Sequence, residues 1–122
     1  ILVSVIVPKP LPAARFYKVA KRRLDDISTV AAGFSITLDG ASRVRSARLA
    51  YGGVAAVPTR CTEAEAAIIG HVWNPRAVAD AQAAIAETLR PISDHRGSAE
   101  YRLALAQSLF QKFYHESREA AV

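Results

Sequence analysis

Residues 34–51 read FSITLDGASRVRSARLAY, and their pattern indicates the class of fold. Apolar and hydroxyl side chains alternate at the start of this stretch: Phe34, Ile36 and Leu38 with Ser35 and Thr37. A period of two places one set of side chains on a buried face and the other in solvent, as in a half-buried strand. Asp39-Gly40 is a turn signal, and residues 43–51 supply a returning strand. The sequence therefore predicts two antiparallel strands here.

The residues on either side extend this hairpin into a meander. Residues 27–38 are rich in β-forming side chains, whereas residues 13–24 fit either a helix or a strand. Gly52-Gly53 marks a place where the backbone needs conformational freedom or a close neighbour. Beyond it, residues 54–57 could extend the returning strand as far as Pro58. We expect three to four strands in this part of the chain.

Helix signals replace strand signals after residue 60. Thr62 and Glu65 have the spacing of a capping box, and Gly70 is placed to close a short alanine-rich helix. Asn74-Pro75 combines an N-cap residue with proline at the first helical position, and Pro91 stands beyond the end of that second helix. Two consecutive helices are therefore predicted.

A third helix is predicted over residues 98–116. Apolar side chains at helical spacing mark the buried side of the last two helices: Val78, Ala81, Ile85 and Leu89, then Leu103, Ala106, Phe110 and Phe113. Strands followed by helices are typical of an α+β domain. The predicted fold is an antiparallel β-meander of three to four strands with about three helices packed on one face.

The first twelve residues differ in character from the rest. Residues 1–7 have the β-branched content of a strand, and three prolines at 8, 10 and 12 exclude a central strand after it. Because the chain contains no methionine, we expect it to be a piece of a longer polypeptide. Residues 1–12 are then the end of a preceding domain and a linker, and residues 13–122 form one domain.

Composition indicates an ordinary globular protein. Hydrophobic residues make up 51% of the 122 residues and charged residues 22%, which excludes a disordered chain. The apolar runs are too short to span a bilayer, so we expect no membrane partner and a cytoplasmic location. Cys61 is the single cysteine and is expected to be a buried or half-buried structural thiol without an internal disulfide.

The residues offer no self-contained catalytic site. His71, His95 and His115 lack metal-ligand spacing and are expected on the surface, so no metal site is predicted. The sequence contains neither a nucleophile elbow nor a glycine-rich loop that cradles nucleotide phosphates. We therefore predict no catalytic residue and expect the isolated chain to be inactive.

Residues 16–27 hold the one concentrated polar site in a chain of formal net charge +5. Four cations stand beside two carboxylates there, which fits a solvated, salt-bridged loop as well as a loop that faces an anion. One Phe-Tyr pair beside these cations also fits single-stranded nucleic acid, although it makes a thin stacking platform. The residues alone leave these three interpretations open.

Three stretches together resemble a known family. Residues 18–27 read KVAKRRLDDI, residues 49–55 read LAYGGVA, and residues 93–102 read SDHRGSAEYR, followed by LFQKFY at 109–114. In this order and spacing they resemble the C-terminal domain of the FAD-binding flavoprotein component of xanthine and carbon monoxide dehydrogenases. The RRLDD segment at residues 22–26 and Phe113-Tyr114 are closer to the xanthine dehydrogenase branch than to carbon monoxide dehydrogenase. The resemblance covers most of the chain, to about residue 114.

The resemblance implies a role in a flavoprotein of the molybdenum hydroxylase class, an oxidoreductase of purine catabolism. A preceding domain would hold most of the FAD, and this domain would close over the flavin. An iron–sulfur domain with 2Fe-2S clusters and a molybdenum-binding subunit with the molybdenum cofactor would be its other partners. Electrons would pass from the clusters to FAD and then to NAD as the acceptor.

The resemblance also assigns residues to the cofactor. Lys18 matches a position that contacts FAD, and Leu2 matches an apolar contact at the end of the FAD domain. Arg23 and Asp25 match a charged loop beside the flavin. Residues 93–102 are expected to be scaffold, with Arg96 and Glu100 in buried or half-buried polar contacts.

Two other classes of function are compatible with the sequence. One is a basic binding module for nucleic acid or an acidic protein partner, and the other is a purely structural interaction domain. The resemblance favours the flavoprotein role and no nucleic acid as partner. Salt-sensitive binding to a random oligonucleotide distinguishes the first of these alternatives.

Overall fold

A computed structural model describes residues 1–6, 14–20 and 29–120 of the chain. Its elements follow one another as β1 (Ala14–Val19), β2 (Val30–Leu38), β3 (Val44–Gly52), β4 (Thr59–Arg60), α1 (Thr62–Ile68), α2 (Pro75–Thr88) and α3 (Ala99–Ala120). The four strands form one antiparallel sheet in the order β1-β2-β3-β4. This α+β arrangement confirms the predicted fold class.

The β2–β3 hairpin follows the alternation seen in the sequence. Phe34 pairs with Leu49 and lies with it on the buried face, because paired residues in an antiparallel ladder point to the same side. The connecting loop is held by Asp39, whose Oδ1 accepts hydrogen bonds from the backbone N–H groups of Ala41 (2.8 Å) and Arg43 (2.9 Å). Both the strands and the turn are confirmed.

The structure decides between helix and strand at the start of the domain. Ala14–Val19 is a strand that pairs with β2, with Tyr17 opposite Ala32. Tyr17 is buried, whereas its neighbours Phe16 and Lys18 are exposed on the other face of the sheet. Burial on the sheet selects the strand, because a helix over these residues would not present Tyr17 to the core in this register.

The predicted extension of the third strand over residues 54–57 is wrong. β3 ends at Gly52, and Gly53 adopts a φ of 83°, which turns the chain away from the sheet. Thr59 and Arg60 then pair back onto Tyr51 and Ala50 as the short strand β4. The turn therefore ends the strand, although the residue types at 54–57 alone would allow it to continue.

The predicted capping box of the first helix is also wrong. Cys61 is the N-cap of α1 and makes no side-chain cap bond, so Thr62 already lies inside the helix. The Glu65 carboxylate instead accepts from the backbone N–H of Leu49 (2.9 Å) and from the guanidinium of Arg60. The end of the helix is confirmed, since Gly70 follows it with a φ of 86°.

The two later helices begin as predicted. The Asn74 side chain accepts from the N–H of Ala77 (2.9 Å), and Pro75 opens α2. The Ser98 hydroxyl accepts from the N–H of Tyr101 (3.1 Å) at the start of α3. α3 continues past residue 116 to Ala120.

An aromatic cluster joins the sheet to α3. Phe34 lies at its centre, with ring centroids 5.7 Å from Phe110 and 5.3 Å from Phe113. Trp73 contacts both of these rings from the start of α2, and the Tyr51 hydroxyl donates to the carbonyl of Ala106 at 2.8 Å. The helices thus cover one face of the sheet, and the predicted stripes are buried except for the half-buried Leu103.

Residues 1–6 form no strand within this chain, and the strand expected over residues 1–7 at the end of a preceding domain stays a prediction. A strand requires a neighbour for its backbone hydrogen bonds, and none of the four strands described here pairs with residues 1–6. None of the helices in the described residues combines the length and apolar composition that crossing a membrane requires.

Candidate functional site

The face of the sheet opposite the helices carries small side chains at its centre. The strand register aligns Phe16, Gly33 and Ala50 in one row across β1, β2 and β3, and Lys18, Ala31 and Gly52 in the next. Because two of these six residues are glycine and two are alanine, the middle of this face is low and flat. We call this surface the open face.

A hollow of about 480 Å³ lies on the open face. Phe16 stands on one side of it with 71% of its surface exposed, and Pro58, Thr59 and Arg60 stand on the other. A methyl group added at Gly33 would contact the Phe16 ring at 3.8 Å, so the ring lies close over the floor beside β1. The hollow therefore has the shape and apolar lining to accept a flat ligand or a flat side-chain surface.

Cations flank the open face at both edges of the sheet. Lys18 is exposed on β1. Arg60 on β4 is held by the buried Glu65 through two hydrogen bonds, Nε to Oε2 at 3.0 Å and Nη2 to Oε1 at 2.6 Å. These bonds raise the pKa of the Arg60 guanidinium and fix its direction. An anionic group on the ligand would meet positive charge on either side.

The predicted cofactor residues differ in where they lie. Lys18 lies on the open face, in the row next to Phe16, beside the hollow and not among the residues that line it. Leu2 lies in residues 1–6, is 81% exposed and does not line the hollow. Arg23 and Asp25 lie outside the residues that the structure describes.

A second polar cluster lies at one end of the sheet and is centred on Arg102. Its side chain is 5% exposed, and its Nη2 donates to Oδ1 of Asp94 at 2.6 Å. Its Nη1 donates to the carbonyls of Thr29 (2.6 Å) and Gly53 (3.0 Å). The cluster therefore joins the start of α3 to the residue before β2 and the residue after β3.

The prediction of polar contacts within residues 93–102 is wrong for Glu100 and holds in part for Arg96, which is half-buried. Glu100 is exposed, and Arg96 takes part through its backbone carbonyl, which accepts from the Thr29 hydroxyl at 3.1 Å. The buried charge belongs to Arg102. A signal was present in the sequence, because Arg102 lies at helical spacing from the buried Ala106 and Leu109, on the apolar side of α3.

Asp94 has an environment that favours its charged form. Its Oδ1 accepts from the backbone N–H of Arg96 (2.9 Å) and from Arg102, and these bonds lower the pKa of the carboxyl below its ordinary value. Gly53 completes the cluster, since a side-chain carbon there would collide with the carbonyl oxygen of Thr29. Residues far apart in the sequence are thus fixed against one another.

The remaining candidates have simple environments. His71, His95 and His115 are exposed, as predicted, and the described residues contain no group of three or more metal-ligating side chains. Cys61 is 1% exposed, and burial raises the pKa of its thiol. The expected buried thiol is confirmed.

Comparison with known proteins identifies the class of domain that this fold and these surfaces represent. The family model for the CO dehydrogenase flavoprotein C-terminal domain matches residues 15–117. The chain therefore belongs to that family, which confirms the resemblance drawn from residues 18–27, 49–55 and 93–102.

Individual relatives agree with this assignment. The chain is similar to the glyceraldehyde dehydrogenase medium chain of Sulfolobus acidocaldarius, with 35% identity over 82% of this chain and 35% of that protein. It is also similar to xanthine dehydrogenase 2 of Arabidopsis thaliana, with 35% identity over 93% of this chain and 9% of that protein. The chain thus spans about a third or less of the length of these relatives.

A solved structure has the same fold. The structure is that of carbon monoxide dehydrogenase from Hydrogenophaga pseudoflava, in a form that lacks the Mo-pyranopterin moiety of its molybdenum cofactor. It matches with a TM-score of 0.79 and 27% identity over 88% of this chain and 37% of the matched chain. The sheet with its helices on one face is therefore the architecture of this flavoprotein domain.

Proposed function

We propose that the chain is the C-terminal part of the FAD subunit of a molybdenum hydroxylase of the xanthine dehydrogenase type. It closes over the flavin and supports electron transfer from iron–sulfur clusters to FAD and then to NAD. Its partners are the preceding FAD domain, an iron–sulfur domain and a molybdenum-binding subunit. The parent enzyme then works in purine catabolism in the cytoplasm.

The observation that carries this proposal is the open face with Lys18 on it. The floor of the hollow is built from small residues such as Gly33 and Ala50, so a flat group can approach the backbone closely. Phe16 adds an apolar wall, and the Lys18 ammonium suits a phosphate or the edge of a reduced flavin. These residues fit a partial FAD contact, with the rest of the cofactor held by another domain.

Each residue has a distinct part in this proposal. When bound, FAD supplies the electron-accepting ring. Lys18 binds the anionic part of the cofactor, and Leu2 adds an apolar contact next to the preceding domain. Arg23 and Asp25 set the charge around the flavin and the access of the acceptor. The residues of this chain therefore hold and tune the cofactor, and the catalytic groups that act on the substrate belong to other subunits.

Lys18→Ala in the holoenzyme tests the proposal. Charge-assisted hydrogen bonds are worth about 1.5–3 kcal/mol, so loss of the ammonium should raise the FAD dissociation constant about 10- to 100-fold. The constant is measured by fluorescence while FAD is titrated into the full enzyme from which the flavin has been removed. Lys112→Ala is the matched control, because Lys112 is an exposed lysine on α3, on the helix-covered side of the sheet. An unchanged dissociation constant for Lys18→Ala would show that Lys18 makes no contact with FAD.

A further inference from the structure

Arg102 holds the ends of two strands by their backbone carbonyls. Thr29 immediately precedes β2 and Gly53 immediately follows β3, and the carbonyls of both accept from Nη1 of the same guanidinium. The last rung of the β2–β3 ladder pairs Ala31 with Gly52, next to these two residues. Arg102 therefore fixes the end of the sheet from which β2 begins and at which β3 ends.

The first strand is tied to the same point. The N–H of Thr29 donates to the carbonyl of Val19 at 2.6 Å, and Val19 is the last residue of β1. Lys18 is the residue before it and pairs with Ala31. A short path of hydrogen bonds thus runs from Arg102 through Thr29 to Val19, one residue from Lys18.

The guanidinium of Arg102 is suited to holding the backbone carbonyls at these strand ends. Removing a guanidinium from water is costly, and the cost is offset only where its donors meet acceptors in good geometry. Here the acceptors are the Asp94 carboxylate and the carbonyls of residues just outside the ladder. Backbone carbonyls in these positions have no strand partner, so an arginine of fixed direction satisfies them and sets their positions at the same time.

We propose that Arg102, oriented by Asp94, is a positioning residue for the cofactor contact at Lys18. Arg102 does not touch the cofactor. It fixes the end of β1 and β2 so that the Lys18 ammonium is held in place on the open face. This inference rests on the proposed function, because it requires that Lys18 contacts FAD.

A double-mutant cycle in the holoenzyme tests this role. The variants are Lys18→Ala, Arg102→Gln and the two combined, and Arg90→Gln is the control because Arg90 is an exposed arginine outside the cluster. The FAD dissociation constant and the visible absorption spectrum of the bound flavin are measured for each. Far-UV circular dichroism shows whether each variant is folded.

Arg102→Gln is expected to raise the FAD dissociation constant at least about threefold, because Lys18 is then no longer held in place. It should also shift the absorption bands of the bound flavin in the same direction as Lys18→Ala does. Residues that act through one another are not additive. The FAD dissociation constant of the double variant should therefore exceed that of the more weakly binding single variant by about twofold at most. Effects that multiply in the double variant, or a wild-type constant and spectrum for Arg102→Gln, overturn the inference.

Three further outcomes are decided in the same experiment. If Arg102→Gln does not fold, Asp94→Asn takes its place under the same criteria, since it keeps the guanidinium and changes only its carboxylate partner. If Lys18→Ala itself binds FAD like the wild type, the proposed contact of Lys18 falls and this inference falls with it. If only Lys18→Ala weakens binding, the contact stands and the positioning role of Arg102 is wrong.

Discussion

Both buried charged side chains described in this chain make hydrogen bonds to backbone groups. The Glu65 side chain, 6% exposed, accepts from the N–H of Leu49 beside the point where β4 stops. Arg102 donates to the carbonyls of Thr29 and Gly53 beyond the ends of β2 and β3. In each case a charged side chain satisfies a polar backbone group that the ladder leaves without a strand partner. Each also pairs with one opposite charge, Glu65 with Arg60 and Arg102 with Asp94. Strand ends and these ion pairs together explain why the two charges are buried.

For single residues, we predict that the free energy of unfolding depends on pH in the acid range through Asp94. Its folded-state pKa lies below the ordinary value of 3.8, so its contribution to stability is present above that value and is lost as the pH falls through the folded pKa. Asp94→Asn should therefore show a smaller loss of unfolding free energy than the wild type between about pH 5 and about pH 3. Urea unfolding at the two pH values measures the difference.

Asp80→Asn is the control for that experiment, because it removes one exposed carboxylate from α2. Equal acid dependence of Asp94→Asn and the wild type would mean that the ion pair with Arg102 adds nothing to the stability of the fold.

The elements could be predicted where local pattern and tertiary structure agree. The alternation around Phe34 and the Asn74-Pro75 start of α2 were sufficient, because burial period and capping are local properties. Gly52-Gly53 was correctly marked as a place of backbone freedom or close approach, but the end of β3 at Gly52 and the bond from Leu49 to Glu65 were not predictable. Both depend on neighbours distant in sequence, which residue types and spacing do not reveal.

The packing of α3 gives a prediction for this element. Phe113 is fully buried against Phe34, so Phe113→Ala should lower the free energy of unfolding by about 2–5 kcal/mol through lost burial and a cavity. Leu109→Ala should lower it by an amount in the same range. Ser108→Ala, at an exposed position on the same helix, should leave it nearly unchanged. Urea melts of Phe113→Ala and Leu109→Ala that coincide with the wild type would contradict this packing.

On the scale of the whole molecule, the hollow on the open face is a product of strand register. Phe16, Gly33 and Ala50 are neighbours only because β1, β2 and β3 pair with the register observed. The sequence indicated Lys18 by resemblance, but it gave no sign of the floor beside it. A pattern of small residues becomes a surface only when the pairing is known, and a shift of one residue would turn each of them to the core.

The shared aromatic cluster predicts that sheet and helices unfold together. Trp73 is the chain's single tryptophan, and it contacts Phe110 and Phe113, which in turn pack on Phe34 of β2. Its fluorescence and the far-UV circular dichroism of the chain should therefore report the same thermal midpoint. Separate midpoints would show that α3 and the sheet are independent units.

The bond from Leu49 to Glu65 also governs how the sheet can grow. Hydrogen bonds within the chain occupy both ends of the outer edge of β3, where Val44 bonds to Gly70 and His71, and Leu49 to Cys61 and Glu65. In the part of the chain that the structure describes, the edge strands are β1, with six residues, and β4, with two. A strand from another molecule therefore finds the longer edge at β1, whereas β4 offers a two-residue edge for such pairing.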